Sequence, residues 1–232
     1  MRICGLQKLA MVDFPGRLAA TVFTGGCNLR CPFCHNALLV NRLEENPETH
    51  SVEEVLSFLK SRRGLLDGVV LSGGEPLLQP DAADLLAAVK DLGFAVKLDT
   101  NGCFPEALAD ILDRRLADYV AMDIKNRLEK YPRTVGLPDF DTRPIEESVR
   151  LLQSSGVDYE FRTTVVRELH TAEDLLAIGH WLEGAPRYFL QPFVDSGSLV
   201  GSGCSAPDPL RVKELADLVR PFFGSVGLRG TD

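Results

Sequence analysis

Three cysteines lie within eight residues of one another in the segment Cys27-Asn-Leu-Arg-Cys31-Pro-Phe-Cys34. Thiolates bind zinc and iron, and a loop this compact can wrap around one metal centre. A structural zinc ion would need a fourth ligand, which would have to be His35, Cys4, Cys103 or Cys204. An iron-sulfur cube accepts three thiolates and then leaves its fourth iron open, whereas an electron carrier normally closes all four corners. The spacing therefore favours a catalytic iron-sulfur centre.

Glycine and polar residues are concentrated directly after four successive apolar runs of the chain. The four groups are Gly-Gly-Cys at 25–27, Gly-Gly-Glu-Pro at 73–76, Asp-Thr-Asn-Gly at 99–102 and Asp-Ile-Lys at 123–125. Any one of these groups could simply form a turn. The carboxyl ends of parallel strands open on one face of a βα fold, so four such groups together predict a single site on that face.

The apolar runs alternate with helical patterns, as expected for strands and helices around a parallel sheet. Predicted strands cover residues 19–24, 68–72, 95–100, 118–124, 159–166 and 187–193. Predicted helices cover residues 51–62, 82–92, 105–114, 144–155, 171–181 and 209–222. Ser51 with Glu54, and Thr171 with Asp174, have the spacing of a capping box, which marks a helix start.

Six βα units are fewer than the eight of a closed barrel, so the sequence predicts an α/β fold of the incomplete (β/α)6 barrel type. We expect one domain over residues 1–232, with an N-terminal segment at 1–18, the barrel at 19–207, and a C-terminal helix and strand at 208–232. Two connections, 25–50 and 127–143, are longer than a βα link needs, which is typical of functional loops.

Composition excludes several classes of protein. The 232 residues include 33 acidic and 25 basic side chains, and a net charge of -8 repels nucleic-acid backbones. No apolar run is long enough to cross a membrane, and the first 14 residues carry charges that a signal peptide would not. We therefore expect a cytoplasmic protein that binds neither nucleic acid nor membrane. In a reducing compartment, the six cysteines indicate metal ligands or buried thiols rather than disulfides.

The cysteine motif with Phe33 inside it, followed by Gly73-Gly74-Glu75-Pro76, resembles the radical S-adenosylmethionine superfamily. Within that superfamily, four strings resemble the activating enzymes of glycyl-radical enzymes: Asp-Phe-Pro-Gly at 13–16, Cys-Pro-Phe-Cys-His-Asn at 31–36, Asp-Thr-Asn-Gly at 99–102 and Asp-Ile-Lys at 123–125. Further strings at 96–99, 119–123, 161–166 and 227–230 are most similar to those activating enzymes that serve anaerobic ribonucleoside-triphosphate reductase.

The resemblance implies that Cys27, Cys31 and Cys34 bind a [4Fe-4S] cluster and that S-adenosylmethionine chelates its fourth iron. It further implies that an electron from the cluster cleaves S-adenosylmethionine to methionine and a 5'-deoxyadenosyl radical, which abstracts a hydrogen atom. The expected cofactor-binding residues are Phe33, Gly73, Gly74, Glu75, Pro76, Asp99, Thr100, Asn101, Asp123, Lys125, Arg162 and Gln191. Alternative roles are packing for Phe33, holding its own loop for Glu75, and turn contacts or salt bridges for Asn101, Lys125, Arg162 and Gln191.

Asp99, Thr100 and Asp123 also resemble positions at which formate-lyase activating enzymes hold a monovalent cation, and hard oxygen ligands suit such an ion. One departure concerns the last barrel strand, where Phe193 is followed by Val194 instead of the histidine of those enzymes. The contact made by that histidine is therefore not expected here.

The implied partners are a glycyl-radical enzyme, expected to be anaerobic ribonucleoside-triphosphate reductase, and an electron donor of the flavodoxin or ferredoxin type. An incomplete barrel would leave a lateral opening for the partner's glycine loop. Two alternatives remain: a radical enzyme that acts on a small molecule or tRNA, and a non-catalytic iron-sulfur electron carrier. Cofactor motifs do not encode the final substrate.

Overall fold

A computed structural model describes residues 1–41, 44 and 49–230 of the chain. These residues form an eight-stranded sheet whose strands follow one another in chain order. The strands are β1 (Ile3–Ala10), β2 (Ala19–Thr24), β3 (Gly68–Gly73), β4 (Ala95–Thr100), β5 (Tyr119–Asp123), β6 (Asp158–Val165), β7 (Arg187–Pro192) and β8 (Ser225–Leu228). β1 pairs antiparallel with β2, and every other neighbouring pair is parallel.

The sheet is not closed into a barrel, because β1 and β8 are the two ends of the strand order within the described residues. The predicted incomplete α/β barrel is confirmed, and its six predicted strands are β2 to β7. The C-terminal strand, β8, extends the parallel sheet beside β7. β1 was not predicted: it lies within residues 1–18, for which the sequence predicts only an N-terminal segment.

There is a physical reason why the sequence pattern does not predict β1. An isolated strand is recognised by strict alternation of apolar and polar side chains. In β1 the register against β2 shifts twice, between Ile3 and Gly5 and again between Gln7 and Ala10. Its exposed residues are consecutive instead of alternating. Irregularities of this kind are typical of edge strands.

Eight α-helices accompany the sheet. They are α1 (Ala37–Val40), α2 (Val52–Ser61), α3 (Ala82–Asp91), α4 (Pro105–Asp113), α5 (Tyr131–Val135), α6 (Arg143–Ser155), α7 (Ala172–Trp181) and α8 (Pro209–Val219), as far as the described ranges show. Six of them match the predicted helices. Both predicted capping boxes form, at Ser51 with Glu54 and at Thr171 with Asp174. The short helices α1 and α5 lie inside the two long connections.

The segment Asp-Phe-Pro-Gly at 13–16 packs at the amino-terminal end of the parallel strands. Phe14 is buried, and its ring centroid lies 6.1 Å from that of Tyr119. Gly68, the first residue of β3, lies so close that a Cβ there would be 2.9 Å from the Phe14 ring. The Asp13 carboxylate accepts a hydrogen bond from the Thr21 hydroxyl at 2.5 Å. This segment thus fills the end of the sheet opposite the predicted site.

No helix among the described residues is both long enough and apolar enough to span a membrane.

Candidate active site

A cavity of about 600 Å³ lies at the carboxyl ends of the parallel strands. This volume is within the range of small-molecule sites. Its wall contains all the residues that the sequence analysis proposed for the site: Cys27, Cys31, Phe33, Cys34, Gly73, Gly74, Glu75, Pro76, Asp99, Thr100, Asn101, Asp123, Lys125, Arg162 and Gln191. The wall begins in β2 at Phe23 and reaches Arg229 and Gly230, beyond β8. Parallel strands thus bring together residues far apart in sequence.

The cysteine loop is held by backbone hydrogen bonds to two distant parts of the chain. The Arg30 amide donates to the Val135 carbonyl in α5 at 2.9 Å. The next residue, Gly136, leaves no room for a side chain, since a Cβ there would lie 2.4 Å from the Arg30 carbonyl oxygen. On the other side, the Gly201 amide donates to the Pro32 carbonyl at 3.0 Å. The long connection at 127–143 therefore supports the cysteine loop.

The glycine loop after β3 lies directly against the backbone that leads into the cysteine loop. Gly73 has φ +128, and a Cβ there would lie 2.3 Å from the amide nitrogen of Thr24. A Cβ on Gly74 would lie 2.0 Å from the Gly26 carbonyl oxygen. The Gly74 amide donates to the Thr24 carbonyl, and the Glu75 amide donates to the Gly26 carbonyl, at 3.0 and 2.8 Å. Both glycines are needed for this close approach.

Glu75 is fully buried and uses both carboxylate oxygens on protein donors. Oε1 accepts from the Leu77 amide at 3.0 Å and from the Thr100 hydroxyl at 2.8 Å. Oε2 accepts from the Asn101 amide at 2.7 Å. Burial raises the pKa of Glu75 to about 7, although these hydrogen bonds oppose the increase. The geometry agrees with the alternative role of Glu75, which is to tie its own loop to the end of β4.

Asp99 and Asp123 share one cationic partner in the cavity wall, Arg162, and each also pairs with a lysine. The Arg162 guanidinium lies between them, with Nε 3.0 Å from Asp123 and Nη1 3.4 Å from Asp99. The Lys125 ammonium donates to the other Asp123 oxygen at 2.9 Å. Burial alone would raise the pKa of both carboxyl groups, but the positive charges of Arg162 and the neighbouring lysines outweigh it and lower both. Both carboxylates are therefore ionised at neutral pH.

The three motif thiols would bind a metal cluster as thiolates, so each must lose its proton when the cluster binds. Burial raises the pKa of Cys31 to about 12 and also raises that of Cys27, while the positive charge of Lys125 opposes both increases. Metal binding requires deprotonated thiols and therefore has to overcome this cost. Three soft thiolates around one cavity, with an ammonium nearby, form a donor set that fits an iron-sulfur cluster.

The zinc alternative finds no preformed site. Within residues 1–41, 44 and 49–230, no three histidine, cysteine, aspartate or glutamate side chains are placed to share one metal ion. Cys103 lies near Cys27, and burial raises its pKa to about 12, but it is outside the cavity wall.

Sequence reasoning missed four polar residues around the cavity. Ser72 donates to Asp99 at 3.1 Å, and Asn36 donates to the Gly73 carbonyl at 3.4 Å. Lys97 is buried beneath the wall and pairs with Asp99. Arg229, which lines the cavity, forms a two-pronged ion pair with the buried Glu160, with Nη2 2.8 Å from Oε2. The alternation of β4 could have revealed Lys97, since residues two apart on a strand share a face.

The structural neighbours agree with this architecture. The structure of SuiB from Streptococcus suis bound to the precursor peptide SuiA has a TM-score of 0.70 with this chain, covers 90% of it and is 14% identical; the match spans 48% of SuiB. At this identity the similarity concerns the fold.

The sequence comparison decides the family. The Radical SAM superfamily matches residues 21–182, which include the cysteine motif, the glycine loop and the ends of β4, β5 and β6. The chain belongs to the radical SAM superfamily. Members of this superfamily use a [4Fe-4S] cluster and S-adenosylmethionine, so these are the cofactors of this protein.

Curated relatives in this superfamily carry different functional names. A Methanocaldococcus jannaschii protein provisionally named as a glycyl-radical enzyme activating enzyme is 31% identical over 98% of this chain and 95% of its own length. The pyruvate formate-lyase-activating enzyme of Clostridium pasteurianum is 36% identical over 54% of this chain and 52% of its own length. The 7-carboxy-7-deazaguanine synthase of Thermococcus kodakarensis is 29% identical over 76% of this chain and 75% of its own length.

Proposed function

We propose that this radical SAM enzyme installs a glycyl radical on a partner enzyme, with anaerobic ribonucleoside-triphosphate reductase as the expected target. The observation that carries the proposal is the similarity over nearly the whole chain to the activating enzyme from M. jannaschii. The choice of reductase rests on the sequence strings at 96–99, 119–123, 161–166 and 227–230.

Cys27, Cys31 and Cys34 would hold the cluster. With S-adenosylmethionine bound beside it, the reduced cluster would supply the one electron needed for cleavage of the sulfonium–C5' bond to methionine and a 5'-deoxyadenosyl radical, and that radical would become 5'-deoxyadenosine by taking a hydrogen atom from a glycine Cα of the partner. The electron would come from a flavodoxin or ferredoxin in the cytoplasm.

The residues of this chain position and shield that chemistry. Backbone groups of the glycine loop can approach the methionine end of the cofactor, because Gly73 and Gly74 carry no side chain there. Asn101, Arg162 and Gln191 present donors to the same cavity. Phe33 is buried in the cavity wall and offers an apolar ring to the adenine.

The open sheet supports a protein substrate. β1 and β8 are the two ends of the strand order within the described ranges, and the cavity wall extends to Arg229 and Gly230 just beyond β8. A gap between the first and last strands would give an extended glycine loop a lateral entrance. Val194, which follows Phe193 at the rim, is 65% exposed and lines the cavity. An apolar side chain therefore occupies the position at which the formate-lyase activating enzymes carry a histidine.

The deciding experiment combines the reconstituted, reduced protein with S-adenosylmethionine and purified anaerobic ribonucleoside-triphosphate reductase under anaerobic conditions. We expect a glycyl-radical signal in electron paramagnetic resonance and one 5'-deoxyadenosine per radical formed. A reductase whose radical glycine is replaced by alanine serves as the control and should give no signal. Radical formation on pyruvate formate-lyase alone would retain the activating function and change the partner.

The relationship to 7-carboxy-7-deazaguanine synthase supports a second candidate, a radical enzyme with a small-molecule substrate. Formation of 7-carboxy-7-deazaguanine from the substrate of that synthase, with no radical on either protein partner, would replace our proposal by this candidate. Cluster reduction without any cleavage of S-adenosylmethionine would instead favour an electron carrier.

A further inference from the structure

Lys97 is a buried ammonium group whose position is not explained by packing. Lys97 is 1% exposed and lies on β4 two positions before Asp99, so the two side chains share a face of the strand. Its Nζ forms an ion pair with Asp99 Oδ1. Burying an ammonium is costly unless it is paired, and replacing a buried pair by apolar side chains is often neutral or stabilising. Stability alone therefore does not account for this pair.

All four carboxylate oxygens of Asp99 and Asp123 already have protein partners. Asp99 Oδ1 pairs with Lys97, while Oδ2 accepts from Ser72 at 3.1 Å and faces Arg162 at 3.4 Å. On Asp123, one oxygen accepts from Arg162 at 3.0 Å, and the other accepts from the Lys125 ammonium at 2.9 Å. Two negative charges are thus surrounded by three positive ones.

The Thr100 hydroxyl is occupied as well. It donates to Glu75 at 2.8 Å and accepts from the Gly102 amide at 3.1 Å. A hard cation needs several oxygen ligands around it at once. At this wall, an added cation would have to displace a hydrogen bond or an ion pair, and it would lie beside three fixed positive charges. The residues present therefore do not fit the monovalent cation that the resemblance implied.

We propose that the Lys97 ammonium takes the place of that cation. From beneath the cavity wall it neutralises Asp99 and orients it toward S-adenosylmethionine, so cofactor binding is independent of dissolved Na⁺ and K⁺. Lys97 is a positioning residue, since it is outside the wall and acts through Asp99. This role is independent of the partner protein, and its test needs no partner.

The first test measures the dissociation constant of S-adenosylmethionine for the cluster-loaded protein by anaerobic titration calorimetry. Titrations are run in potassium, sodium and choline chloride at equal ionic strength, because choline is too large to replace a coordinated metal cation. For the wild type we expect values that agree within about twofold, much less than the tenfold change that 1.4 kcal/mol represents. Tenfold tighter binding in potassium or sodium than in choline would overturn the proposal.

Lys97→Met supplies the complementary test, since it leaves Asp99 without its inner cation. We expect its affinity for S-adenosylmethionine to fall at least tenfold in choline chloride, and potassium to restore part of the loss. A purely structural lysine would not confer such salt dependence, so unchanged affinity in all three salts would overturn the proposal.

Lys90→Met is the matched control, because Lys90 also forms an ion pair, with Asp118 at 2.7 Å, outside the cavity wall. It should bind the cofactor as the wild type does in every salt. If Lys97→Met does not fold, the double variant with Asp99→Asn removes both charges of the pair. That variant should show no preference for potassium, and a preference would place the cation elsewhere and overturn the proposal.

Discussion

Replacing Gly73 by alanine should distinguish two costs of a side chain at this position: the clash with the backbone of Thr24 and the strain of a positive φ. Gly73 has φ +128, and the new Cβ would lie 2.3 Å from both the nitrogen and the oxygen of Thr24. Gly93 provides a matched control, because it has φ +90 but nothing within 4 Å of an added Cβ. Both replacements incur the cost of positive φ, about 1–2 kcal/mol for an L-residue.

The additional cost at Gly73 can be worked from the contacts that must separate. Moving the loop away from β2 removes the hydrogen bonds from Gly74 to Thr24 and from Glu75 to Gly26. Each contributes about 0.5–1.5 kcal/mol, so the total expected loss is about 2–5 kcal/mol, against about 1–2 kcal/mol for Gly93→Ala.

Urea unfolding of the reduced, metal-free protein, followed by the fluorescence of its single tryptophan, measures these losses. A second readout is the affinity of the cluster-loaded protein for S-adenosylmethionine, which should fall at least tenfold for Gly73→Ala and remain unchanged for Gly93→Ala. Equal losses of stability in the two variants, with equal cofactor affinity, would refute the reasoning that close approach at Gly73 shapes the site.

Three further perturbations test other parts of the structure. Cys31→Ala should lose most of the iron and sulfide bound after reconstitution, since it removes a proposed cluster ligand. Asp123→Asn should flatten the loss of thermal stability on acidification, because the folded-state pKa of Asp123 lies below its ordinary value of 3.8, so its stabilisation is full above that pH and is lost as the pH falls. Arg229→Met should cost about 2–4 kcal/mol in urea unfolding, because it leaves the fully buried Glu160 without its cationic partner.

Each of these expectations has its own control. Cys204 lies outside the cavity wall, so the Cys204→Ala variant should keep its bound iron. Equal losses of iron in the two cysteine variants would contradict the ligand assignment. If the Asp123→Asn variant loses as much thermal stability on acidification as the wild type does, other carboxylates determine the acid sensitivity of the fold. Adding Glu160→Gln to Arg229→Met should recover part of the stability, and a strictly additive double variant would show that the two side chains do not interact.

Much of the parallel sheet was predictable because local patterns and global packing agree there. β2 to β5 are followed by glycine and polar residues at their carboxyl ends, and α2 and α7 begin with capping boxes that require only four consecutive residues. The convergence of the cavity residues also followed from sequence, because parallel strands place all their carboxyl ends on one face. β1 could not be predicted in this way, because its pairing with β2 is irregular and its exposed residues do not alternate.

The amino-acid sequence by itself determined the three-thiol motif, the glycine loop and the order of the βα units, because these depend on residue types at short spacings. Only the tertiary structure decided how the charges are paired. Glu75 meets Thr100 and Asn101, and Arg162 lies between Asp99 and Asp123, because strands far apart in sequence are neighbours in the sheet. The partner of a buried charge is set by which side chains lie within a few ångströms of it, and this proximity is a property of the folded chain.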